Sequence, residues 1–370
     1  PAPVPAFAMA LQPALETRLR DLRTPGAIVL VDVPGQGTWL TALGTGDLPT
    51  GAPMQVDDHM RIASVTKTFT ATVVLQLVDE GKVRLDDPVA TYVADVPNGA
   101  TITVRDLLAQ RSGLYNTTDD LGLNATLDAQ PQKVWNDQEL LAIAFSHPPA
   151  FAPGQAFQYT NTNYLLLGQI AERAGGAPLR ELMAQRIFTP LVMHDTTLPA
   201  RDDSSIPDPH PRGYMFGTNV ESIQAYQAAL SGDAAAAQVT VAPGVAPTDA
   251  TDWSPSYTYA DGAAISTVHD LRIWARALAT GTLLSPATQA ERLQFSADGN
   301  YGLGIDRSFS GLIGHNGAIP GFQTFLGYQP TTGATVIVLA NLLLAPNTYL
   351  GSGLPADELA RIIAQQVLPA

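Results

Sequence analysis

The chain has 370 residues, of which 45% are hydrophobic and 15% charged, with a net charge of −14, no run of Lys or Arg and no cysteine. That length can bury a large core in one or two domains, and the acidic balance opposes binding to nucleic acid or to anionic membrane surfaces. Without cysteine there is no disulfide, no thiolate catalysis and no cysteine-based zinc site.

The chain opens Pro1-Ala2-Pro3-Val4-Pro5-Ala6. This reads as a start left by removal of a signal peptide, although a chain trimmed otherwise would look the same. It predicts a secreted or extracytoplasmic protein of the cell envelope. Residues 11–22 have the pattern of an amphipathic helix, and 26–33 and 38–43 read as strands around the turn Pro34-Gly35-Gln36-Gly37. A long helix is expected over 66–80, stopped by Gly81. Further helices are expected at 104–110, 137–146, 164–174 and 178–187. Residues 200–256 are rich in Pro, Ala, Asp and Gly and lack a sustained period. They predict long surface connections around one helix near 221–230.

Strand patterns return at 301–306, 312–315, 322–328 and 335–340, and a helix at 357–367 closes the chain. The apolar run 334–346 is broken by Asn341 and is too short to span a bilayer. Strands at both ends with helices between predict an α/β (α+β) architecture: one antiparallel sheet built from both termini, flanked by helices. The expected division is a discontinuous sheet domain, 1–75 with 255–370, and a mainly helical inserted domain, 76–254, with irregular loops at 200–256. The active site is expected between the two.

The chemistry-bearing pattern begins at Ser64-Val65-Thr66-Lys67. The chain has only three lysines, Lys67, Lys82 and Lys133, and one of them sits at the start of an apolar helix. Positions i and i+3 share a helix face, so the Ser64 hydroxyl and the Lys67 amine can meet. Serine is a poor nucleophile until a base takes its proton, and a desolvated lysine can be that base. Taken alone, Ser64 could simply cap the helix, Lys67 could snorkel to water, and Tyr159 and Asn161 could be a core aromatic and a turn residue. Two further elements follow in order. They are Tyr159-Thr160-Asn161, just before the helix at 164, and His315-Asn316-Gly317, at a predicted strand end. The remaining histidines, His59, His147, His194, His210 and His269, show no metal-ligand spacing.

This set resembles the penicillin-recognising serine hydrolases, whose pattern is S-x-x-K, Y-x-N and K-T-G or H-x-G. That family includes serine D-Ala-D-Ala carboxypeptidases, class C β-lactamases, and related esterases and D-aminopeptidases. The stretches "RIASVTKTFTATVVLQLVDEGKVRLDDPVATYV", "FAPGQAFQYTNTNYLLLGQIAERAGG" and "YADGAAISTVHDL" are similar to the family, and the likeness is nearest to the secreted actinobacterial DD-carboxypeptidase branch. The resemblance implies a beta-lactamase/DD-peptidase-like fold and an acyl-enzyme on Ser64, with Lys67 as proton acceptor. Tyr159 would pass the proton to the leaving group, and Asn161 would hydrogen-bond Lys67 or the substrate amide. His315 would tune the field and, with an ordinary pKa near ~6.5, would change charge within the working pH range. Backbone N–H groups of Ser64 and Ala318 would form the oxyanion hole, and Gly317 would let substrate approach the strand. No metal or organic cofactor is implied. The expected partner is a small-molecule or peptide substrate (a peptidoglycan stem peptide, a β-lactam or an acyl ester), and the expected state is a monomer.

The departures bear on substrate. Where the carboxypeptidase branch holds a substrate carboxylate with Arg, this chain has Asp306, and the hydroxyl-bearing positions of the third motif are Asn316 and Ala318. Arg307 is adjacent but points to the opposite face of a strand. Three readings stay open: a D-Ala-D-Ala carboxypeptidase or β-lactamase-like enzyme, an esterase or D-amino-acid amidase or aminopeptidase on the same machinery, and a non-catalytic peptidoglycan-binding protein. In the second, Asp306 would favour a substrate with a free amine. No Gly-x-Ser-x-Gly elbow occurs, which leaves an α/β-hydrolase without its central motif.

Overall fold

The computed structural model describes residues 4–368. Seven strands build one antiparallel sheet. They are β1 (Gly26–Val33), β2 (Gly37–Asp47), β3 (Ala52–Pro53), β4 (Asp306–Arg307), β5 (Ile313–Ile319), β6 (Phe322–Tyr328) and β7 (Thr335–Ala340). Their spatial order is β3-β2-β1-β7-β6-β5-β4. β1 pairs with β7 in the middle of the sheet, Ala27 opposite Ala340 and Asp32 opposite Thr335, so both ends of the chain meet there as expected.

β1 and β7 are almost wholly apolar because both faces of the sheet are covered. Val29, Val31, Val336 and Val338 point to one face, where they pack with α1 (Ala6–Asp21) and the closing helix 355–367. Ile28, Leu30, Ile337 and Leu339 point to the other. There one apolar core runs from the sheet through α2 (Thr66–Asp79) and α3 (Thr162–Gly175) into the helices of the middle of the chain. The helical part between 76 and 254 therefore shares the core of the sheet. Each fully buried Leu, Ile or Val contributes about 1.5–3 kcal/mol, so this shared core holds the floor of the molecule as one unit.

The segment 200–256 is irregular around α4 (Asn219–Leu230), close to expectation. Two departures matter for the site. Residues 301–306 do not form a strand: Tyr301 pairs back on Asp306, and Gly302 N–H donates to Ile305 O at 2.8 Å. Gly304 sits at φ +72, and a Cβ there would lie 2.1 Å from the Ala71 Cβ, so this turn presses onto α2 where a side chain has no room. The short helix α5 (Tyr259–Gly262) and the helix α6 (Val268–Thr280) were absent from the sequence-based expectations. Yet Val268, Leu271, Trp274, Ala275 and Leu278 are buried at helical spacing, and α6 lies against the sheet. The closing helix is α7 (Pro355–Val367).

Candidate active site

α2 is buried from Thr66 to Leu75, which leaves its threonines to find internal partners. Thr68 Oγ1 donates to Val65 O at 2.7 Å, and Thr72 Oγ1 donates to Thr68 O at 2.7 Å. Ser64 lies in the 3-10 turn Ala63–Val65 that leads into this helix. Ala63 adopts φ 46, a left-handed conformation unusual outside glycine, and this turn aims Ser64. One helical turn on, Lys67 Nζ lies 3.0 Å from Ser64 Oγ.

Lys67 is fully buried, and burial draws its pKa down, opposed by the Asp261 carboxylate. Its Nζ donates to Asp261 O at 3.0 Å and lies 3.5 Å from Asp261 Oδ1. The rings of Tyr159 and Tyr164 stand with centroids 5.0 and 5.5 Å from the same nitrogen. Burial raises the Tyr159 phenol well above its usual value, against the pull of the neighbouring Ser64 hydroxyl, so it stays a proton donor near neutral pH.

His315 is buried on β5, its Nε2 3.0 Å from Tyr301 Oη and its Nδ1 2.5 Å from Asn316 O. Burial and the nearby Lys67 charge push it down to about 3. The expectation that His315 changes charge in the working range is overturned, because a second cation in this apolar space is too costly. Its ring is a fixed neutral wall beside Tyr159, with centroids 6.1 Å apart.

Gly317 does more than the sequence analysis expected. A Cβ there would lie 2.5 Å from Ile62 O and 2.7 Å from the Ser64 amide nitrogen. Its bareness lets β5 press against the nucleophile turn, and Gly317 also lines the cleft, where substrate would approach the strand. That close approach brings β5, and with it Ala318, beside the Ser64 backbone, as an oxyanion hole needs. Asn161 does not bond Lys67, the first of its two expected partners, but it lines the cleft, where a substrate amide could meet it. Its Nδ2 donates to Thr118 Oγ1 at 2.8 Å, its Oδ1 has no partner, and Asp261 takes the place at Lys67 that the motif assigned to it. Asn316 lines the cleft, but its Nδ2 donates to Asp357 Oδ2 at 2.7 Å. Asp306 pairs with Gly314, which puts its side chain on the sheet face of Asn316, beside Asp357, and not on the face of His315. Burial and the Asp357 charge push Asp306 up to about 8. It is not among the residues that line the cleft, so the expected substrate contact is not made.

Ser64, Tyr159, Asn161 and Asp261 open into a cleft of about 590 Å³. Ile223, Tyr226 and Leu230 of α4 with Leu343, Leu350 and Leu354 give the lining an apolar part, so the irregular 200–256 region does reach the cleft. Asn116, Thr118 and Asp119 add polar groups to the lining next to α4, whose Gln227 Nε2 donates to Asp119 O at 3.0 Å. Asp119 Oδ1 accepts from Asn116 Nδ2 at 2.7 Å, and burial raises the Asp119 carboxyl to about 6.

Residues 11–350 match the family described as Beta-lactamase. The chain belongs to the beta-lactamase family of serine hydrolases. It is 32% identical over 204 residues to Esterase EstB of Burkholderia gladioli, covering 51% of each chain. It is 34% identical over 193 residues to a D-aminopeptidase of Brucella anthropi, covering 50% of this chain and 36% of that one. The chain thus spans about half the length, or less, of these curated relatives. Among solved structures, the D-stereospecific amidohydrolase from Streptomyces sp. superposes with a TM-score of 0.79 at 27% identity, covering 99% of both chains. The D-amino acid amidase from Ochrobactrum anthropi SV3 does so with a TM-score of 0.76 at 27% identity, covering 98% of this chain and 97% of that one.

Within this beta-lactamase-family site the three motifs converge as the sequence predicted, Ser64, Lys67, Tyr159 and His315 in one place. Sequence reasoning missed Asp119, Asp261 and Tyr301. Asp261 left one signal, an acid inside the otherwise uncharged stretch Tyr259-Ala260-Asp261-Gly262-Ala263-Ala264. Asp119 left none that separates it from the neighbouring Asp120.

Proposed function

We propose that the protein is a serine hydrolase for acyl compounds with a free amine near the scissile carbonyl, a D-amino-acid amidase or aminopeptidase. The observation that carries this is the charge of the cleft. Among the described residues that line it, the charged ones are Asp119 and Asp261, and no Arg is present. Asp261 is paired with Lys67, which leaves Asp119 as the excess negative charge. A substrate ammonium beside Asp119 would favour its ionised form, whereas a terminal carboxylate would find no cation on the cleft wall. The carboxypeptidase reading needs that cation. The D configuration is supported by the names of the relatives, and the apolar wall suits a large side chain or acyl group.

In this reading Ser64 Oγ attacks the carbonyl carbon and its proton passes to the neutral amine of Lys67. The N–H groups of Ser64 and Ala318 hold the oxyanion. Tyr159 hands a proton to the leaving nitrogen, an amine or ammonia departs, and Ser64 is left acylated. Water then attacks the ester and gives its proton to the Tyr159 oxygen, Lys67 returns its proton to Ser64 Oγ as the acyl–oxygen bond breaks, and the acid departs. A second reading, simple acyl esters, is favoured by the same apolar wall.

The test compares kcat/KM for D-phenylalanine amide, its N-acetyl derivative and nitrophenyl butyrate, with penicillin hydrolysis followed in parallel. The free-amine amide is expected to exceed its acetylated form by about 10-fold or more, the worth of one charge-assisted contact. Equal rates would remove the amine-recognising reading. Cleavage of the nitrophenyl ester alone would leave the esterase.

A further inference from the structure

Asp261 lies in α5, a four-residue helix fixed on several sides. Its N–H donates to Thr258 O at 2.6 Å. Thr70 Oγ1 of α2 donates to Ala260 O at 2.5 Å, and Ala264 N–H donates to Thr66 Oγ1 at 3.1 Å. These two bonds clamp α5 to α2 on either side of Lys67. Gly168 of α3 leaves the room, since a Cβ there would lie 2.7 Å from the Ala260 Cβ. The Asp261 side chain is thus held where it is. Its Oδ1 faces Lys67 Nζ at 3.5 Å, and its buried Oδ2 has no hydrogen-bond partner.

Leaving a carboxylate oxygen unpaired in the interior is costly, so a purely structural role is a poor account of it. The other ionisable groups around the pair are few. Tyr159 precedes α3, Tyr164 is on α3, Tyr257 precedes α5, and His315 is on β5. Tyr301 stands against His315, Asp306 lies in β4 on the other sheet face, and Asp137 and Arg201 act on Asp261 while ion-paired to each other. Among the described residues Asp261 is the one carboxylate in ion-pair reach of Lys67.

We propose that Asp261 is a positioning residue that sets the pH at which Lys67 can take the Ser64 proton. The proposal rests on the acyl-enzyme reading above. When the Ser64 O–H bond breaks and Oγ bonds to the acyl carbon, the proton moves to Lys67 Nζ. Asp261 neither gains nor loses a proton in this step; burial raises its own carboxyl to about 7, so its charge acts on Lys67 as pH rises through that value. Its negative charge favours the ammonium, so it holds Lys67 protonated to higher pH at rest and steadies the ammonium once formed.

The test is the rate of Ser64 labelling by a fluorophosphonate, followed by intact mass from pH 5 to 10, for the wild type, Asp261→Asn and Asp261→Glu. Labelling forms an Oγ–P bond, expels fluoride and needs no particular acyl substrate. An opposite charge at this range moves a pKa by about 1–3 units, so the acid limb of Asp261→Asn is expected to shift to lower pH by that amount. Asp261→Glu should restore a limb near the wild-type position. An unshifted limb in a folded Asp261→Asn variant, checked by its thermal transition, overturns the proposal and leaves the hydrolase reading intact. If Asp261→Asn does not fold, the Glu variant must still track the wild-type limb, and a Glu limb displaced to lower pH overturns the proposal. No labelling of wild-type Ser64 at any pH removes the acyl-enzyme reading and the proposal together.

Discussion

The floor and the rim of the cleft are built on different terms. The floor is helix α2, the β5 strand and α5, packed until Lys67, His315 and Asp261 are all but closed to water. The rim is α4 and the segments around 116–119 and 343–354, where Leu230 is 70% exposed and much of the backbone is held by turns and side-chain contacts. Residues in the floor have no freedom and carry charge chemistry that needs low polarity. The described residues that line the rim touch none of the reacting atoms and include one charge, Asp119, so they can choose substrates without disturbing the reaction.

The sharpest way to break that division is at its centre. Ser64→Ala is expected to lower kcat/KM for any substrate by at least about 10³-fold, with the thermal transition unchanged, measured by steady-state kinetics and calorimetry. A small effect would mean that the floor is not catalytic. Gly317→Val should follow: its side chain collides with Ile62 O and the Ser64 amide, costing about 1–3 kcal/mol of stability, read by denaturant unfolding, together with most of the activity.

Asp119→Asn tests the rim. It should cost about 10- to 100-fold in kcat/KM for D-phenylalanine amide and leave nitrophenyl ester turnover within about twofold. Because Asp119 is raised to about 6, its ionised form is lost as pH falls through that value. The KM for the amide should therefore rise below pH 6 in the wild type, and the variant should lack that dependence. Leu230→Ala should change the ratio of long to short acyl esters only a few-fold, since its side chain is mostly in water already. The smallest expected effect is none. With His315 pushed down to about 3, no limb between pH 5 and 9 should belong to it. A limb in that range that disappears in His315→Gln would show that the floor admits more water than its packing allows.

The floor was more legible in the sequence than the rim, for a physical reason. Ser64 and Lys67 are one helical turn apart, so spacing alone joins them. Tyr159 and His315 are distant in the chain, but each sits in a motif that the family resemblance could carry. Asp261 contacts Lys67 across 194 positions, and no periodicity links a short helix to its partner. Asn161 stood in the right motif, but of its two expected partners Lys67 is bonded by Asp261 instead, and its amide nitrogen donates to Thr118, a contact no motif carries. The 301–306 stretch has strand-like residues, yet Gly302 and Gly304 turn it back on itself, so tertiary contact with α2 overrode local pattern. The sheet was read from its apolar runs, since burial on both faces leaves an unmistakable composition.

The pairing of β1 with β7 has a consequence for how the molecule comes into being. Strand partners such as Val29 and Val338 are separated by most of the 370 residues. A ribosome releases β1 and β2 long before β7 exists, and until then β1 offers an apolar, unpaired edge to any other strand nearby. Contacts of such long reach make folding slow. The nascent protein is therefore at its most aggregation-prone just before β7 emerges, and a chain cut short of β7 should be lost to association rather than persist as a weak enzyme.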